Sequence, residues 1–421
     1  MNRAILFIVD RNVYYRHYGP FIEYLAGAGH SIHILHDYSQ SRVGVKKGYF
    51  PDLFSVPQFS TKISFIGLFN TTKDIISYVR SNNIDYVFSL NSYIQYGIHT
   101  DQIQPCKWVV LQNWADNFQH GPKEVFNCDH FLSYSKLWWD CFLKSDYNNN
   151  KSVAPQKIKI HHIGHPLNFL IEELDVKHIK KKYNLPMDRK VLTYLPIGPA
   201  NMYGFQNIFQ KLWLVTKYSS LPHKISVQLI SSLINLVLFR SVKTLVDEKL
   251  IILAIKRFCK NNDFTFIVKT RFKSVHSQFL LDHVDHLFFD ESFYPPTISE
   301  LVFISDITVS HFSMATFEAI AMKSFKININ LEPVFDIFTN HFSTLFGNDW
   351  IDDFNKQGLG SIINGSDFIN KFADSNYKEF QFNEKHYNDF MLKYFSETDP
   401  QMFHSTLDKL ISGDFDDVKE N

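Results

Sequence analysis

Short apolar runs alternate with amphipathic stretches along most of the chain. The run AILFIVD at residues 4–10 precedes a helical pattern in YGPFIEYLAGAG, which is followed by a second apolar run, HSIHILH. The same alternation continues through TKDIISYVRSNN, IDYVFSL, CKWVVLQN, DHFLSYS, KLWWDCFLK and IKIHHIGHP. Strands that alternate with helices in this way predict a parallel sheet covered by helices on both faces.

A second set of strands follows a charged helical stretch at residues 168–190. Its predicted strands are VLTYLPIG, DFTFIVKT, DHLFFD, DITVSH and FKININ. We therefore predict an α/β protein with two doubly wound, Rossmann-like lobes, and ligands at the carboxyl ends of their strands, in the cleft between the lobes. The first, acceptor-side lobe is predicted at residues 1–170 and the second, donor-side lobe at 171–385. The second lobe contains a helical insertion at about 201–260, and a helical tail follows at 386–421.

The charge balance excludes a protein held to nucleic acid by a broad basic surface, because 43 Lys and Arg residues match 43 Asp and Glu residues. A small molecule or a glycan is the expected partner. The 41 Phe and 20 Tyr residues can fill two cores and still supply rings to a sugar-binding cleft.

Compartment and membrane signals favour the cytoplasm. Four scattered cysteines without a CxxC pair indicate a reducing environment. The apolar start is too short for a signal peptide. The most apolar segment, residues 225–239, contains Gln228, Asn235 and three serines, so we do not expect it to span a bilayer. Peripheral contact of the insertion with the inner face of a membrane stays open.

The chain lacks the sequence motifs of several enzyme classes. We find no GxGxxG after the first strand, no GK[ST] and no GxSxG, which argues against dehydrogenases, kinases and hydrolases. On a strand, His161 and His162 face opposite sides, so HHIGH does not predict a metal site. The carboxylates also lack DxD spacing, and we predict neither an obligatory metal nor another cofactor.

The stretch SDITVSHFSMATFEA offers a donor site at a strand end. The strand runs out at Ser310, and Ser313 is placed to cap the next helix, whose free N–H groups could bind a phosphate with help from Thr316. The alternative is that Ser313 only caps that helix. The remaining candidate contacts to a donor in this stretch are His311, Phe312, Met314 and Ala315.

The same stretch, FEAIAMKSFKINI, resembles the EA-x-A-x-G-x-P motif of two-lobed nucleotide-sugar glycosyltransferases, the GT-B architecture. The resemblance implies that Glu318 binds the ribose hydroxyls of the donor. Ser310 replaces a second Glu of the retaining members, and Lys323 and Phe325 replace the usual Gly and Pro. These departures favour an inverting enzyme.

A longer resemblance, over about 210 residues, is to the CDP-glycerol glycerophosphotransferase-like family, which assembles teichoic acid and capsule polymers. It is carried by the order of LQNWADNFQHG, FLSYSKLWWDCF, IGHPLNFL, KKYNLPMDRKVLTYLPIGP, FIVKTRFK and SDITVSHFSMATFEA. That family has a catalytic His after the Trp, whereas this chain has Ala115 and Asp116. The resemblance implies a base at Asp116 or at His120, while Asp116 as a simple turn cap is the alternative.

Basic residues alternate where a strand of the second lobe ends. Lys269, Arg271 and Lys273 would project to one side and could bind a diphosphate. The alternative is a solvated basic edge strand.

Other candidates come from loops. The start of the chain resembles the first βα unit of these transferases, which implies that His17, a further catalytic candidate, and Gly19 face the acceptor. A plain loop between strand and helix is the alternative for both. Tyr194 and Gly198 lie in a Gly/Pro-rich strand end suited to close approach by a ligand, and His165 follows another strand in IGHP.

Together these features predict a glycosyltransferase-like enzyme. It would transfer a sugar, or a sugar or polyol phosphate, from a UDP-, CDP- or CMP-linked donor to a glycan or lipid-linked acceptor of a bacterial surface polysaccharide such as capsule, lipopolysaccharide or teichoic acid. Two alternatives stay open. One is a non-hydrolysing UDP-sugar 2-epimerase, and the other is a glycan-binding protein without catalysis.

Overall fold

The protein contains two parallel β-sheets, each within its own compact unit. The first unit combines Met1–Glu173, Glu291–Pro296 and Asp389–Asn421, and the second combines Leu174–Asp290 and Thr297–Asn388. The computed structural model describes residues 2–10, 14–37, 56–112, 127–144, 158–171, 174–196, 248–270, 278–290, 292–311, 315–330, 349–356, 358–395 and 399–414. We call the two units the first and second lobes.

The first lobe is built on a seven-stranded sheet of order β3-β2-β1-β4-β5-β6-β7, in which every pairing is parallel. The central strand β1 is apolar throughout and buried from Ile5 onward, as expected for a strand covered on both faces. The strands are β1 Ala4–Val9, β2 Ser31–Asp37, β3 Phe65–Phe69, β4 Tyr86–Ser89, β5 Lys107–Leu111, β6 His130–Ser133 and β7 Lys159–His162.

Helices from both ends of the chain cover this sheet. They are α1 Tyr15–Gly27, α2 Thr72–Ser81, α3 Lys136–Lys144 and the last helix, α12 Pro400–Ser412. Phe403 of α12 stacks on Phe169 with ring centroids 3.9 Å apart, and the Tyr86 hydroxyl donates to the carbonyl of Leu410 over 2.9 Å. The final helix is therefore part of the core of the first lobe.

The second lobe has a six-stranded parallel sheet of order β10-β9-β8-β11-β12-β13. Its apolar face packs against the helix Glu248–Asn262 and the helix Gly365–Lys371. The strands are β8 Lys190–Leu195, β9 Phe264–Lys269, β10 His286–Phe288, β11 Ile307–Ser310, β12 Phe325–Asn330 and β13 Gly360–Asn364. The helices are α4 Val176–Lys182, α5 Glu248–Asn262, α6 Gln278–His283, α7 Thr297–Phe303, α8 Ala315–Ala321, α9 Asp349–Lys356 and α10 Gly365–Lys371. Helix α11 Glu384–Phe395 begins in the second lobe and ends in the first, because the division falls after Asn388.

The two sheets confirm the predicted fold class of two Rossmann-like lobes. Of the predicted helical insertion, the part from Glu248 onward is described and forms α5, whereas residues 201–247 lie outside the described residues. Among the helices that the structure describes, none is long and apolar enough to cross a bilayer.

Candidate functional site

Tyr194 and His311 lie at the carboxyl ends of neighbouring strands in the second sheet. The chain runs outward from β8 to β10 and then returns to the other side of β8 with β11. Ligands of open α/β sheets bind at the carboxyl ends of the strands beside such a reversal. The Tyr194 hydroxyl is 3.3 Å from His311 Nε2, and both side chains are buried. The structure thus brings together two residues that the sequence predicted separately.

A buried amine contacts Ser310, the residue that precedes His311. Lys326 of β12 is 0% exposed, and its Nζ donates to Ser310 Oγ over 2.7 Å and to the Ile327 carbonyl over 2.8 Å. Ser310 Oγ in turn donates to the carbonyl of His311 over 2.6 Å. Burial holds the pKa of Lys326 well below its ordinary value of 10.5, which favours the uncharged amine.

The imidazole of His311 is also held in its neutral form. Burial, followed by the neighbouring Lys326, lowers the pKa of His311 to about 4. At neutral pH this side chain is therefore a hydrogen-bonding group and not a cation. A diphosphate would gain little Coulombic stabilisation from it.

Helix α8 follows β11 and contains the candidate donor residues Ala315, Thr316 and Glu318, all of them buried. Thr316 Oγ1 donates to Asn328 Oδ1 on β12 over 3.1 Å, which fixes the helix to the sheet. Glu318 is 1% exposed and belongs to the first turn, where the helix dipole stabilises a negative charge. A carboxylate is therefore buried in the first turn of the helix that follows β11, beside the switch point.

Helix α8 ends at the position where the resembled motif has Gly. Lys323 has a φ of +56°, in the left-handed region. The N–H of Lys323 bonds the carbonyl of Ile320 and the N–H of Ser324 bonds that of Ala319, at 3.0 and 2.9 Å. The backbone thus retains the geometry that favours Gly, although the side chain is that of Lys.

Lys269 at the end of β9 is not on an edge strand. β9 pairs with both β8 and β10, and Lys269 is 4% exposed, with Nζ donating to the Thr270 carbonyl over 2.8 Å. The alternative of a solvated basic edge strand is therefore wrong. The order of strands in a sheet, which the local pattern does not contain, decides the exposure of this lysine.

In the first lobe, His17 and Gly19 lie inside helix α1, so the alternative of a loop is wrong for both. The helix begins at Tyr15, before the YGPF stretch, and includes Pro20 in its second turn. His17 is buried and accepts a hydrogen bond from Arg16 Nε at 3.3 Å. A Cβ on Gly19 would lie 1.8 Å from a ring carbon of Tyr294, so close packing against that ring explains this glycine.

His165 is buried next to the same helix. Its Nδ1 accepts the N–H of Leu167 at 3.2 Å, and its ring packs against Tyr134 with centroids 5.0 Å apart. The charge of Arg16 reaches both imidazoles. Burial and Arg16 lower the pKa of His165 to about 3, and burial, Arg16 and His165 lower that of His17 well below its ordinary range.

Sequence reasoning missed a polar cluster around Asp10 at the switch point between β1 and β4. Asp10 Oδ2 accepts from Asn91 Nδ2 at 2.6 Å and from the Tyr96 hydroxyl at 2.8 Å. The hydroxyls of Tyr96 and Ser89 are 3.1 Å apart. The signal for Asp10 was a carboxylate ending an apolar run, but its partners are more than 80 residues away.

Gln112, at the end of β5, was also missed. Its Oε1 accepts from Ser133 Oγ at 3.0 Å and from the Tyr134 N–H at 2.7 Å, which ties the ends of β5 and β6 together. Its buried Nε2 has no hydrogen-bond partner among the described residues. The first residue of the QNWADNFQHG stretch thus has a fixed side chain.

The remaining candidates lie outside the described residues, and the structure does not test them. Groups of three or more His, Cys, Asp or Glu that could hold a metal ion are absent from the described part of the chain. The untested candidates are Asp116, His120, Gly198, Arg271, Phe312, Ser313 and Met314.

Known proteins resemble this chain in structure. No family model and no curated protein matches its sequence. The wall teichoic acid polymerase TagF aligns with a TM-score of 0.52 and 14% identity over 99% of this chain and 90% of that chain. A TagF variant gives a TM-score of 0.55 at 14% identity over 98% and 90%.

A second kind of enzyme shares the architecture. A putative UDP-N-acetylglucosamine 2-epimerase from Listeria monocytogenes aligns with a TM-score of 0.52 and 9% identity over 100% of this chain and 99% of that chain. Identities this low establish the fold alone. The chain has the GT-B fold, with two Rossmann-like lobes, as its motifs predicted.

Proposed function

We propose that this chain is an inverting GT-B transferase. It moves a sugar, or a sugar or polyol phosphate, from a nucleotide-activated donor to a glycan or lipid-linked acceptor in the synthesis of a bacterial surface polysaccharide. The observation that carries the proposal is Glu318, a buried carboxylate in the first turn of α8, beside the switch point of the second sheet. The likeness of fold to the wall teichoic acid polymerase TagF supports the same class of reaction.

The second lobe supplies the donor site in this proposal. Glu318 accepts hydrogen bonds from the ribose hydroxyls, and Tyr194 with His311 forms the adjoining wall at the end of β8 and β11. The neutral state of His311 suits it to contact a base or sugar by hydrogen bonding. Lys269 and Arg271, with the backbone around Ser313, are our proposed contacts to the diphosphate, and Gly198 allows the ligand to approach the backbone after β8.

The first lobe supplies the acceptor side. We assign the general base of the inverting displacement to Asp116 or His120, with His17 as the third candidate. Burial and Arg16 keep His17 neutral at physiological pH, and its Nε2 accepts from Arg16 Nε, so His17 could act as a base only after that hydrogen bond is broken. The reaction as proposed needs no metal ion, and it takes place in the cytoplasm or at the inner face of the membrane.

A nucleotide-binding experiment tests the proposal. We expect UDP, CDP or CMP to raise the melting temperature, since a ligand at 100 times its Kd adds about 2.7 kcal/mol to the free energy of unfolding. Glu318→Gln keeps the shape of the side chain but removes its charge, and should weaken nucleotide binding about 10- to 100-fold. Absence of a shift with all three nucleotides would contradict the enzyme and favour a non-catalytic glycan-binding protein.

A second buried Glu of the same lobe provides the matched control. Glu300 accepts from Lys182 Nζ at 2.7 and 2.9 Å, away from the carboxyl ends of the strands. Glu300→Gln should lower the melting temperature and leave nucleotide affinity unchanged. Equal loss of affinity in both variants would show that the effect of Glu318→Gln comes from general destabilisation.

The alternative function is that of a non-hydrolysing UDP-sugar 2-epimerase. It is favoured by the likeness of fold to the Listeria monocytogenes protein. Both functions use the same nucleotide pocket, so nucleotide binding alone does not separate them. Incubation with a UDP-sugar in the absence of an acceptor does, because only an epimerase turns over under that condition.

A further inference from the structure

Strand β3 forms one edge of the first sheet and presents apolar side chains to solvent. Its sequence is FIGLF, and among the described strands it pairs with β2 alone. Phe65 is 40% exposed, Ile66 49% and Leu68 50%. The outer side of an edge strand offers a row of unpaired backbone N–H and C=O groups to any strand that approaches it. β3 therefore combines open hydrogen-bonding groups with an apolar surface.

The other described edge strands carry polar residues. β7, at the opposite edge of the same sheet, has the sequence KIHH, and the edge strands of the second sheet, β10 and β13, are HLF and GSIIN. Charged and polar side chains on an edge strand disfavour pairing with another chain. β3 contains no polar side chain, so its edge lacks this protection.

The sequence of β3 reads almost the same in both directions about Gly67. If two copies pair antiparallel around a two-fold axis at Gly67, Ile66 of one protomer faces Leu68 of its partner, and Phe65 faces Phe69. Every cross-strand pair of side chains is then apolar. A two-fold interface must be complementary to itself, and a palindromic strand meets that condition without a second surface.

Gly67 leaves the axis of such a pair open. A Cβ at this position would lie 2.5 Å from a ring carbon of Phe65, and the same ring stacks on Tyr78 of α2 with centroids 5.0 Å apart. The Phe65 ring is thus held against its own lobe. Because side chains alternate along a strand, Ile66 and Leu68 lie on the opposite face. In the pair, four aliphatic side chains would meet on that face, two from each protomer.

We propose that two copies of this chain pair through β3, antiparallel about Gly67, so that their two seven-stranded sheets become one continuous sheet. Two strands of five residues bury less than the roughly 1,200 Å² at which stable, specific interfaces begin. The dimer is therefore weak, with a Kd of about 10–100 μM. This inference does not depend on the proposed function.

Analytical ultracentrifugation tests the proposal. The unmodified chain should be a monomer at about 1 μM and mostly a dimer at about 300 μM. Ile66→Lys and Leu68→Lys each place two like charges close to the two-fold axis, and each should weaken dimerisation at least about tenfold. Both side chains are half exposed, so we expect the melting temperatures of the variants to stay close to that of the unmodified chain.

Leu281→Lys is the matched control. Leu281 lies on α6 of the second lobe and is 49% exposed, the same fraction as Ile66. Its variant should dimerise with the affinity of the unmodified chain. Amide hydrogen exchange of the unmodified chain locates the interface without any substitution: β3 should exchange more slowly at about 300 μM than at about 1 μM, and β7 should exchange equally at both concentrations.

Three results would overturn the proposal. One is a chain that stays monomeric at about 300 μM, and another is dimerisation of Ile66→Lys and Leu68→Lys with unchanged affinity. The third is a dimer whose β3 amides exchange at the same rate at both concentrations, because another surface would then form the interface.

Discussion

At the scale of single residues, Lys326 is the side chain of the candidate site whose burial costs the most folding free energy. Its amine is fully buried and bonds Ser310 and the Ile327 carbonyl, and the described residues place no carboxylate within ion-pair distance of it. Burial without a counter-charge costs free energy because the unfolded chain solvates the ammonium.

We expect Lys326→Met to stabilise the protein at pH 7 by about 1–3 kcal/mol. Because the pKa of Lys326 is lowered on folding, its contribution is most favourable above its ordinary pKa of 10.5 and is lost as pH falls toward the folded pKa. The advantage of the variant should therefore shrink as pH rises from 7 to 10. Urea unfolding at several pH values measures this difference.

Lys180→Met is the control for that experiment. Lys180 is buried as well, but its Nζ donates to the carbonyls of Met187 and Arg189 at 3.3 and 2.7 Å in a partly solvated position. Loss of both bonds should lower stability by about 1–2 kcal/mol. If Lys326→Met also lowers stability at pH 7, the amine of Lys326 contributes more by bonding to Ser310 than it loses by burial.

The sequence could not reveal this part of the site. Ser310 was noted as a departure from the retaining motif, yet the amine that bonds it comes from the next strand, 16 residues later. A lysine within the apolar run FKININ gives no sign of the residue it contacts. The same holds for Asp10, whose bond to Asn91 joins two strands through tertiary structure alone. Glu318 was found because its motif is local.

At the scale of elements, two glycines of α1 should respond to alanine in opposite ways. A Cβ on Gly19 would overlap the Tyr294 ring, whereas a Cβ on Gly27 would meet nothing within 4 Å. Alanine stabilises an unobstructed helix position by up to about 1 kcal/mol relative to glycine. We therefore expect Gly27→Ala to be neutral or stabilising and Gly19→Ala to cost about 1–3 kcal/mol.

Chemical unfolding of the two variants provides the measurement. Gly19→Ala combined with Tyr294→Leu should recover part of the loss, because the ring that obstructs the new methyl group is gone. A stable Gly19→Ala single variant would mean that Tyr294 moves aside, and that Gly19 is available for the acceptor role that the sequence resemblance implied.

The end of helix α8 gives a second prediction at this scale. Lys323 holds a left-handed conformation, which disfavours every residue with a Cβ except, in part, Asn and Asp. Its side chain contributes little: the Glu384 carboxylate is 3.9 Å from Nζ with both exposed, and Nζ is 5.3 Å from the centre of the Tyr387 ring. Lys323→Gly should raise the free energy of unfolding by about 0.5–1 kcal/mol.

Lys323→Ala separates the backbone effect from the loss of the side chain. Alanine removes the same ion pair as glycine but keeps the Cβ, so its free energy of unfolding should stay within about 0.5 kcal/mol of the original. A gain of equal size in both variants would assign the strain to the lysine side chain and not to the backbone.

At the scale of the whole molecule, the alternation of apolar runs and helical patterns was sufficient to predict two doubly wound lobes. Strands buried on both faces are mostly apolar, and β1 shows this in the sequence itself. Pairing order is a different property: the pattern of β9 fits an edge strand as well as an interior one, and only the complete sheet places Lys269 inside. Local sequence patterns therefore predict the strands but not the order in which the strands pair.

The choice between transferase and epimerase is made by the set of carboxylates around the donor. An epimerase of this fold needs several acidic groups near the sugar to move protons. At the carboxyl ends of the described strands of the second sheet, Glu318 is the single buried carboxylate, and the other buried one of this lobe, Glu300, is bound to Lys182 and Tyr183. The proposed transferase needs an acceptor for turnover, whereas an epimerase does not.

We accordingly expect no conversion of UDP-N-acetylglucosamine when it is incubated with the protein alone. Proton NMR of the anomeric region over several hours would show the starting sugar unchanged. A sample with Glu318→Gln serves as the blank for slow chemical decay. Appearance of a 2-epimer with the unmodified chain and not with the variant would contradict the transferase, because an epimerase turns over without an acceptor whereas a transferase waits for the hydroxyl that attacks its donor.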